Sequence, residues 1–143
     1  MITVIITTNG RPEVKRAIDS VLVQSYKDIE ILVVNNGASI KDSRVREILT
    51  DFINYASVKN LNVGLKNARG KYVAILDDDD YWTDPKKLEK QIKFLEENRD
   101  YIAVGTNGTA ILKDELGTII KKINTNLALD DKTLRENALL SNP

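Results

Sequence analysis

Short runs of branched apolar residues alternate along this chain with stretches in which apolar residues recur every three or four positions. Residues 2–8, 29–34 and 72–76 are apolar on both faces, which is typical of strands buried in the middle of a sheet. The stretches that follow these runs carry the apolar stripe of an amphipathic helix. This alternation predicts an α/β fold in which a mostly parallel sheet is flanked by helices on both faces.

Weaker patterns account for the rest of the chain. They predict a helix at residues 45–52, a short strand at 56–59, further strands at 102–106, 109–112 and 118–123, and a turn at 115–117. No internal repeat or linker interrupts the pattern, and 143 residues are enough to bury a sizeable core. We therefore expect one domain over residues 1–143.

The composition removes several classes of function. Lys plus Arg and Asp plus Glu balance at 21 each, so no overall field draws the chain to nucleic acid. The sequence has no His and no Cys, which excludes imidazole and thiolate chemistry. The apolar run at residues 2–8 lacks a basic flank and is too short to span a bilayer. These features predict a cytoplasmic protein without a transmembrane segment.

Polar loops follow the three buried strands. Ligands of open parallel sheets bind beyond the carboxyl ends of the strands. The loops at residues 7–11, 35–39 and 77–80 are therefore expected to share one rim of the sheet.

Four consecutive acids, Asp77 to Asp80, follow the strand at residues 72–76 directly. Two like charges about 4 Å apart repel by roughly 1 kcal/mol in water and by about 4 kcal/mol at an effective dielectric near 20. A bound cation would reverse this repulsion, and oxygen ligands without His or Cys suit Mg²⁺ or Mn²⁺. The alternative is a solvated acidic loop that caps the following helix. Trp82, beside the run, is interpreted as a core residue.

An ordered set of segments resembles the beginning of family 2 glycosyltransferases. The segments are residues 2–8, 11–13, 17–26, 30–34, 62–64, 70–80 and 85–91. Their order and kind carry the resemblance, because no single motif among them is decisive. The resemblance implies the GT-A fold, a Rossmann-like arrangement that binds nucleotide-sugars.

In that family an Asp-x-Asp motif holds a divalent metal that bridges the two phosphates of the nucleotide-sugar. The motif maps onto Asp77, Asp78 and Asp79, with Asp80 as an additional acid. The resemblance implies that Asp79 is the direct metal ligand and that Asp77 lies near both ribose and metal. It also assigns Asp78 to the nucleotide-sugar site and Asp80 to the metal site, with Mn²⁺ or Mg²⁺ as the cofactor. A shift of the motif by one residue within the run stays open.

The family's other nucleotide contacts map onto Thr7, Asn9, Arg11 and Asn36, and Arg69 resembles an arginine that holds the phosphates. An aromatic is usual in the family where this chain has Asn9. An acid that accepts from the uracil N–H is usual where it has Asn36, whose amide both accepts and donates. Turn chemistry is the alternative for Asn9 and Asn36, and a surface position is the alternative for Arg11 and Arg69.

The resemblance implies an inverting, hexosyltransferase-type glycosyltransferase of polysaccharide biosynthesis in the cell envelope. Its donor would be a nucleotide-diphosphate sugar, UDP-linked, and its acceptor a saccharide or other hydroxyl compound. Family members continue past this region with the acceptor site and the general base. We therefore expect a C-terminally truncated fragment that binds donor and metal, has no identifiable catalytic residue and is weak or inactive alone. The longer enzyme would be peripheral to the inner face of the membrane.

Two other functions are compatible with the sequence. A haloacid-dehalogenase-like phosphotransferase also places Asp-x-Asp after a buried strand and uses Mg²⁺, with its first Asp as the nucleophile. Its usual Thr or Val two residues after the second Asp is replaced here by Tyr81. The other alternative is a non-catalytic module that binds a nucleotide-sugar.

Overall fold

A computed structural model of the chain describes residues 1–52, 56–113 and 119–125. The chain forms two compact units, residues 1–93 and 94–143. The expectation of a single domain over residues 1–143 stays a prediction.

The first unit is built on a four-stranded parallel sheet. Its elements are β1 (Ile2–Thr8), α1 (Val14–Leu22), β2 (Ile29–Asn35), β3 (Arg46–Leu49), α2 (Ala56–Asn67), β4 (Tyr72–Asp77) and the start of α3 (Lys87–Glu97). The strand order is β3-β2-β1-β4, and all three pairings are parallel. The predicted α/β class and parallel sheet are therefore confirmed, and β1, β2, β4, α1 and α3 lie close to where the sequence predicts them.

Helices cover both faces of this sheet because β1 and β2 are apolar on both sides. On one face Val4 and Ile6 pack with α1 through Val14, Ile18 and other buried residues. The buried Leu88 at the start of α3 belongs to the same cluster.

On the opposite face, Ile5 of β1 and two apolar residues of β2 pack against Leu61 and Val63 of α2. The approach of α2 to the sheet is close, because a Cβ on Gly64 would lie 2.6 Å from Cγ2 of Ile5. A side chain at residue 64 would therefore force the Ile5 side chain or α2 to shift.

Two central predictions are wrong. Residues 46–49 form β3, which pairs with β2 from Leu32 to Asn35, whereas the sequence predicts a helix at 45–52. Residues 56–59 form the beginning of α2 rather than a strand. The apolar spacing around Ile48 suits either structure. The segment is a strand because it pairs with β2, and Ile48 then packs with Ile5 and the apolar residues of β2.

In the second unit, β5 (Gly108–Lys113) and β6 (Ile119–Thr125) form an antiparallel pair. They confirm the strands predicted at 109–112 and 118–123, although residue 118 itself lies outside the described residues. The strand predicted at 102–106 is not formed. The turn predicted at 115–117 lies outside the described residues.

Glu30 joins three strands at the amino end of the sheet. It accepts hydrogen bonds from the Thr3 hydroxyl (2.7 Å), from the Arg46 guanidinium (2.9 Å) and from the backbone N–H of Arg69 (3.2 Å). Burial raises the pKa of Glu30, but these hydrogen bonds and the charge of Arg46 outweigh burial and hold the pKa below its ordinary value.

We expect Glu30→Gln to lower the free energy of unfolding at pH 7 by about 1–2 kcal/mol, since it weakens charge-assisted hydrogen bonds. A depressed carboxyl pKa stabilises the fold above the unfolded-state pKa, and this stability is lost as the pH falls through the folded pKa. The difference between wild type and variant should therefore shrink below the ordinary glutamate value of 4.5.

Urea denaturation between pH 7 and pH 3 measures this difference, with Asp100→Asn at an exposed position as the control. A constant difference across that range would contradict the assigned role of Glu30.

Candidate functional site

A cleft of about 530 Å³ opens at the carboxyl ends of β1, β2 and β4. Its walls are Thr7, Thr8, Asn9, Arg11, Asn36, Ser57, Asn60, Asp77, Asp78 and Asp79. All three loops predicted to share one rim contribute to it. The parallel register explains why, since Thr7 of β1 lies opposite both Val34 of β2 and Asp77 of β4.

The loops after β1 and β2 touch backbone to backbone. A Cβ on Gly37 would lie 1.9 Å from the carbonyl oxygen of Asn9, so only glycine fits there. Gly10 has φ of 86°, a left-handed conformation that glycine adopts without strain. The backbone N–H of Asn36 also donates to the carbonyl of Thr8 (3.1 Å). These contacts bring Asn9 and Asn36 to the same wall of the cleft.

Asp78 is directed into the protein. Its side chain is 5% exposed and accepts a hydrogen bond from the Thr8 hydroxyl (2.6 Å). The Arg11 guanidinium donates to both carboxylate oxygens, with Nε 3.1 Å from Oδ2. The hydrogen bond with Asp78 raises the pKa of Arg11. Arg11 and Asp78 were each predicted to contact the nucleotide, and the structure pairs them with each other in the cleft wall.

Asp77 and Asp79 are the exposed acids of the cleft. The side chain of Asp79 is 54% exposed, and its Oδ2 lies 3.4 Å from the Arg11 guanidinium. Arg16 donates to the backbone carbonyl of Asp79 (2.7 Å), which fixes the loop without occupying the carboxylate. Asp77 ends β4 and is also exposed.

Asp80 is not among the residues that line the cleft. Partial desolvation raises the pKa of its carboxyl, and the charges of Asp79 and Asp77 raise it further. Asp80 is thus close enough to the two exposed acids to feel their charges, and its assignment to the metal site stays a prediction.

Among the described residues, no group of three or more acidic, His or Cys side chains converges to hold a metal. Two carboxylates, those of Asp77 and Asp79, remain available to the cleft. A hard cation such as Mg²⁺ is commonly bound by one or two carboxylates together with substrate phosphates. The two carboxylates therefore fit a metal ion whose remaining ligands include phosphate oxygens of a bound substrate.

Two residues of the cleft were missed by the sequence analysis. Ser57 and Asn60 come from α2, which was predicted to begin as a strand. Asn60 is 1% exposed, and its amide donates to Oδ1 of Asn36 (3.0 Å). A buried Asn on the inner side of a helix is a signal that a correct helix assignment would have revealed.

Arg69 lies away from this cleft. Its backbone N–H donates to the Thr3 hydroxyl (3.1 Å), and its guanidinium is 3.9 Å from Glu30. Thr3 and Glu30 stand near the amino ends of β1 and β2, whereas the cleft is at the carboxyl ends. The prediction that Arg69 contacts the phosphates is corrected, because Arg69 precedes β4 and lies at the amino ends of the strands, opposite to the cleft.

Trp82 is partly buried at the border of the core, which agrees in part with its interpretation as a core residue. It packs against the cluster that contains Leu88, and the ammonium of Lys87 lies 4.3 Å from the centre of its ring. Trp82 does not line the cleft.

The family model of glycosyl transferase family 2 matches residues 3–138. The chain belongs to this family. A relative from Rickettsia prowazekii, named an uncharacterized glycosyltransferase, is 40% identical over 102 residues, covering 66% of this chain and 32% of that protein. The family resemblance of the sequence is thereby confirmed.

Two further relatives are also named glycosyltransferases, and the name of one of them specifies its activity. An uncharacterized glycosyltransferase of Haemophilus influenzae is 32% identical over 137 residues, covering 88% of this chain and 53% of that protein. The Escherichia coli UDP-Glc:alpha-D-GlcNAc-diphosphoundecaprenol beta-1,3-glucosyltransferase WfaP is 32% identical over 113 residues, covering 72% and 44%. The chain thus spans about a third of the Rickettsia protein and about half of the other two.

Solved structures confirm the GT-A fold. The crystal structure of S. aureus TarS aligns with a TM-score of 0.60 at 18% identity, covering 78% of this chain and 25% of TarS. The structure of TarS 1–349 in complex with UDP-GlcNAc aligns with a TM-score of 0.59 at 22% identity, covering 68% and 32%. No helix in the described part of this family 2 chain has the length and apolar character needed to cross a membrane.

We expect Asp78→Asn and Asp79→Asn to differ sharply in their effect on stability. Asp78→Asn removes the buried partner of Arg11 and should lower the free energy of unfolding by about 1–3 kcal/mol. Asp79→Asn changes an exposed side chain and should stay within about 0.5 kcal/mol of wild type. Urea denaturation at pH 7 measures both, and equal effects would show that Asp78 is not the carboxylate that anchors this loop.

Proposed function

We propose that this chain supplies the donor and metal site of an inverting glycosyltransferase that uses a nucleotide-diphosphate sugar. The observation that carries the proposal is the arrangement of the acidic run in a family 2 chain. Asp78 is buried against Thr8, whereas Asp77 and Asp79 line one cleft with polar residues of the neighbouring loops. Such a cleft offers two carboxylates at one place and amides and hydroxyls around them.

Asp79 and Asp77 would hold the cation, Mn²⁺ or Mg²⁺, with Asp77 also close to the ribose. A cation held there would neutralise negative charge on the diphosphate as the bond to the sugar breaks. Arg11 is paired with Asp78 and lies within 3.4 Å of Asp79, so its role is to fix the acidic loop next to the phosphates.

The base and ribose would lie along Thr7, Asn9 and Asn36. Thr7 brings a hydroxyl and the two Asn residues bring amides, all of which can bond to a polar nucleoside. A UDP-linked donor is supported by the E. coli relative, whose name specifies UDP-Glc, and by the TarS structure in complex with UDP-GlcNAc.

The acceptor is proposed to be a saccharide or another hydroxyl compound. Inversion needs a carboxylate that removes the proton of the acceptor hydroxyl, and such a base typically contributes about 10²- to 10⁴-fold in rate. Among the described residues, the acids that line the cleft are Asp77, Asp78 and Asp79. Each of them already has another role in the proposed site. We therefore assign no general base within the described part of the chain.

Nucleotide-diphosphate binding is expected to depend on a divalent metal, because Asp77 and Asp79 would otherwise repel the diphosphate. Calorimetry against UDP, GDP, dTDP and CDP, with Mn²⁺ and with excess EDTA, measures this dependence. Asp79→Asn should weaken the Mn²⁺-dependent binding, and Glu13→Gln outside the cleft is the control. Equal affinity in Mn²⁺ and EDTA would contradict the proposed function.

Residues 1–143 are expected to show little acceptor-dependent transfer even with donor and Mn²⁺ bound, since no base is assigned. Slow release of nucleotide by hydrolysis of the donor is compatible with the proposal. An assay of nucleotide release with and without a panel of hydroxyl acceptors separates acceptor-dependent transfer from hydrolysis of the donor. Strong stimulation by an acceptor would place the base within these residues and contradict this expectation.

A further inference from the structure

The two exposed acids of the cleft are held in different ways. Asp77 is the last residue of β4 and pairs there with Thr7 of β1. Asp79 lies in the turn after the strand, and its side chain is 54% exposed. The sheet therefore fixes one of the two carboxylates that the cleft offers to a cation, whereas the position of the other depends on what holds the turn.

Arg16 of α1 holds this turn through its backbone. The Arg16 guanidinium donates to the carbonyl of Asp79 (2.7 Å), although the two residues are 63 positions apart in the chain. Arg16 extends from a helix that is packed on the sheet, since Val14, Ala17 and Ile18 around it are buried. The contact therefore joins the turn to a firmly packed part of the fold.

The same guanidinium makes a second contact with the turn. Its Cζ atom lies 4.4 Å from the centre of the Tyr81 ring. A guanidinium is planar, so its face can stack on an aromatic ring while its edge donates a hydrogen bond, which the compact ammonium of a lysine cannot reproduce. Arg16 thus holds the chain at residue 79 and again at residue 81.

Positioning and electrostatics give Arg16 opposite effects on a bound cation. A positive charge beside the acidic loop repels a divalent ion, so removal of the charge alone would strengthen the binding of Mn²⁺. A carboxylate that is already held in place binds without the cost of ordering its loop, so removal of the contacts would weaken the binding of Mn²⁺. The sign of the change therefore shows which effect dominates.

We infer that Arg16 and Tyr81 are positioning residues that give Asp79 its affinity for the divalent cation by holding the turn after β4 in one conformation. The inference rests on the proposed function, in which Asp77 and Asp79 bind Mn²⁺ or Mg²⁺. Arg16 does not line the cleft, and in this role it acts through the backbone of Asp79.

The decisive pair of variants is Arg16→Met and Lys15→Gln. Arg16→Met keeps an unbranched side chain but has neither a charge nor an N–H donor. Lys15→Gln removes the neighbouring charge of α1, and Lys15 lines a shallow depression with residues 40–44 rather than the cleft. Binding of Mn²⁺ is measured at a fixed concentration of UDP from the loss of the EPR signal of the free ion, and a titration without protein is subtracted.

We expect Arg16→Met to weaken the binding of Mn²⁺ by about five- to tenfold, the scale of one hydrogen bond together with a ring contact. Lys15→Gln should leave the binding unchanged or strengthen it slightly, because it alters charge alone. Tyr81→Phe should bind Mn²⁺ like the wild type, since it keeps the ring. Tyr81→Leu removes the aromatic face and should weaken the binding, as Arg16→Met does.

A double variant tests whether Arg16 acts through Asp79. In the Asp79→Asn background, Arg16→Met should cause little further loss of Mn²⁺ affinity, because the side chain whose position Arg16 sets no longer carries a charge. A loss as large as in the wild-type background would place the effect of Arg16 elsewhere in the fold and overturn the inference.

The outcomes separate this inference from the proposed function. If the wild type binds Mn²⁺ with UDP and Arg16→Met binds it as tightly or more tightly, the inference is overturned and the proposed function stands. If the wild type binds no Mn²⁺ beyond that held by UDP alone, the proposed function fails and the inference fails with it. Weaker binding in Arg16→Met and Tyr81→Leu, with Lys15→Gln and Tyr81→Phe as tight as the wild type, supports the inference.

Discussion

The buried carboxylate of Asp78 is the contact on which the cleft depends. Four adjacent acids at the end of a strand repel one another, and burial of any of them without a partner would be costly. The Thr8 hydroxyl and the Arg11 guanidinium satisfy both oxygens of Asp78. Because Thr8 ends β1 and Asp78 follows β4, the same contact ties two strand ends together. It leaves Asp77 and Asp79 at the surface, so one buried acid positions two exposed ones.

The strands that carry this contact could be predicted from the sequence because a strand covered on both faces is a nearly unbroken apolar run. Their parallel pairing then brings the loops after β1, β2 and β4 to one edge. The prediction fails at β3 and α2, where the local pattern is weak. β3 has four residues and is stabilised by pairing with β2, and only a few apolar residues of α2 meet the sheet. Tertiary contacts determine whether each of these two segments forms a strand or a helix. Because α2 was not predicted from its first residue, Asn60 was not recognised as a residue of the cleft.

Arg69 shows a different limit of sequence reasoning. It precedes β4, whose carboxyl end reaches the cleft, so it lies at the other end of the same strand. Arg69 is held at the amino edge of the sheet through Thr3 and Glu30, which lie 66 and 39 positions from it in the chain. Such partners cannot be found from local spacing. Whether a residue follows the carboxyl end or precedes the amino end of a strand is therefore a better predictor of a ligand contact than its nearness to a motif in the sequence.

Asn36 occupies a position where the family resemblance leads one to expect an acid, and its hydrogen bonds together with those of the neighbouring Asn35 give a physical reason for the difference. Nδ2 of Asn35 donates to the carbonyl of Ala38 and to the carboxylate of Glu47, both at 2.8 Å. Although burial raises the pKa of Glu47, hydrogen bonds that include the one from Asn35 outweigh it and lower the pKa. An acid at residue 35 would face the carboxylate of Glu47, and an acid at residue 36 would face the carbonyl of Phe52. Both contacts would be repulsive, because an ionised carboxylate has no hydrogen to donate. The amides thus match the hydrogen-bonding groups of the loops around them, and in the proposed function the base would meet an amide whose orientation those loops fix.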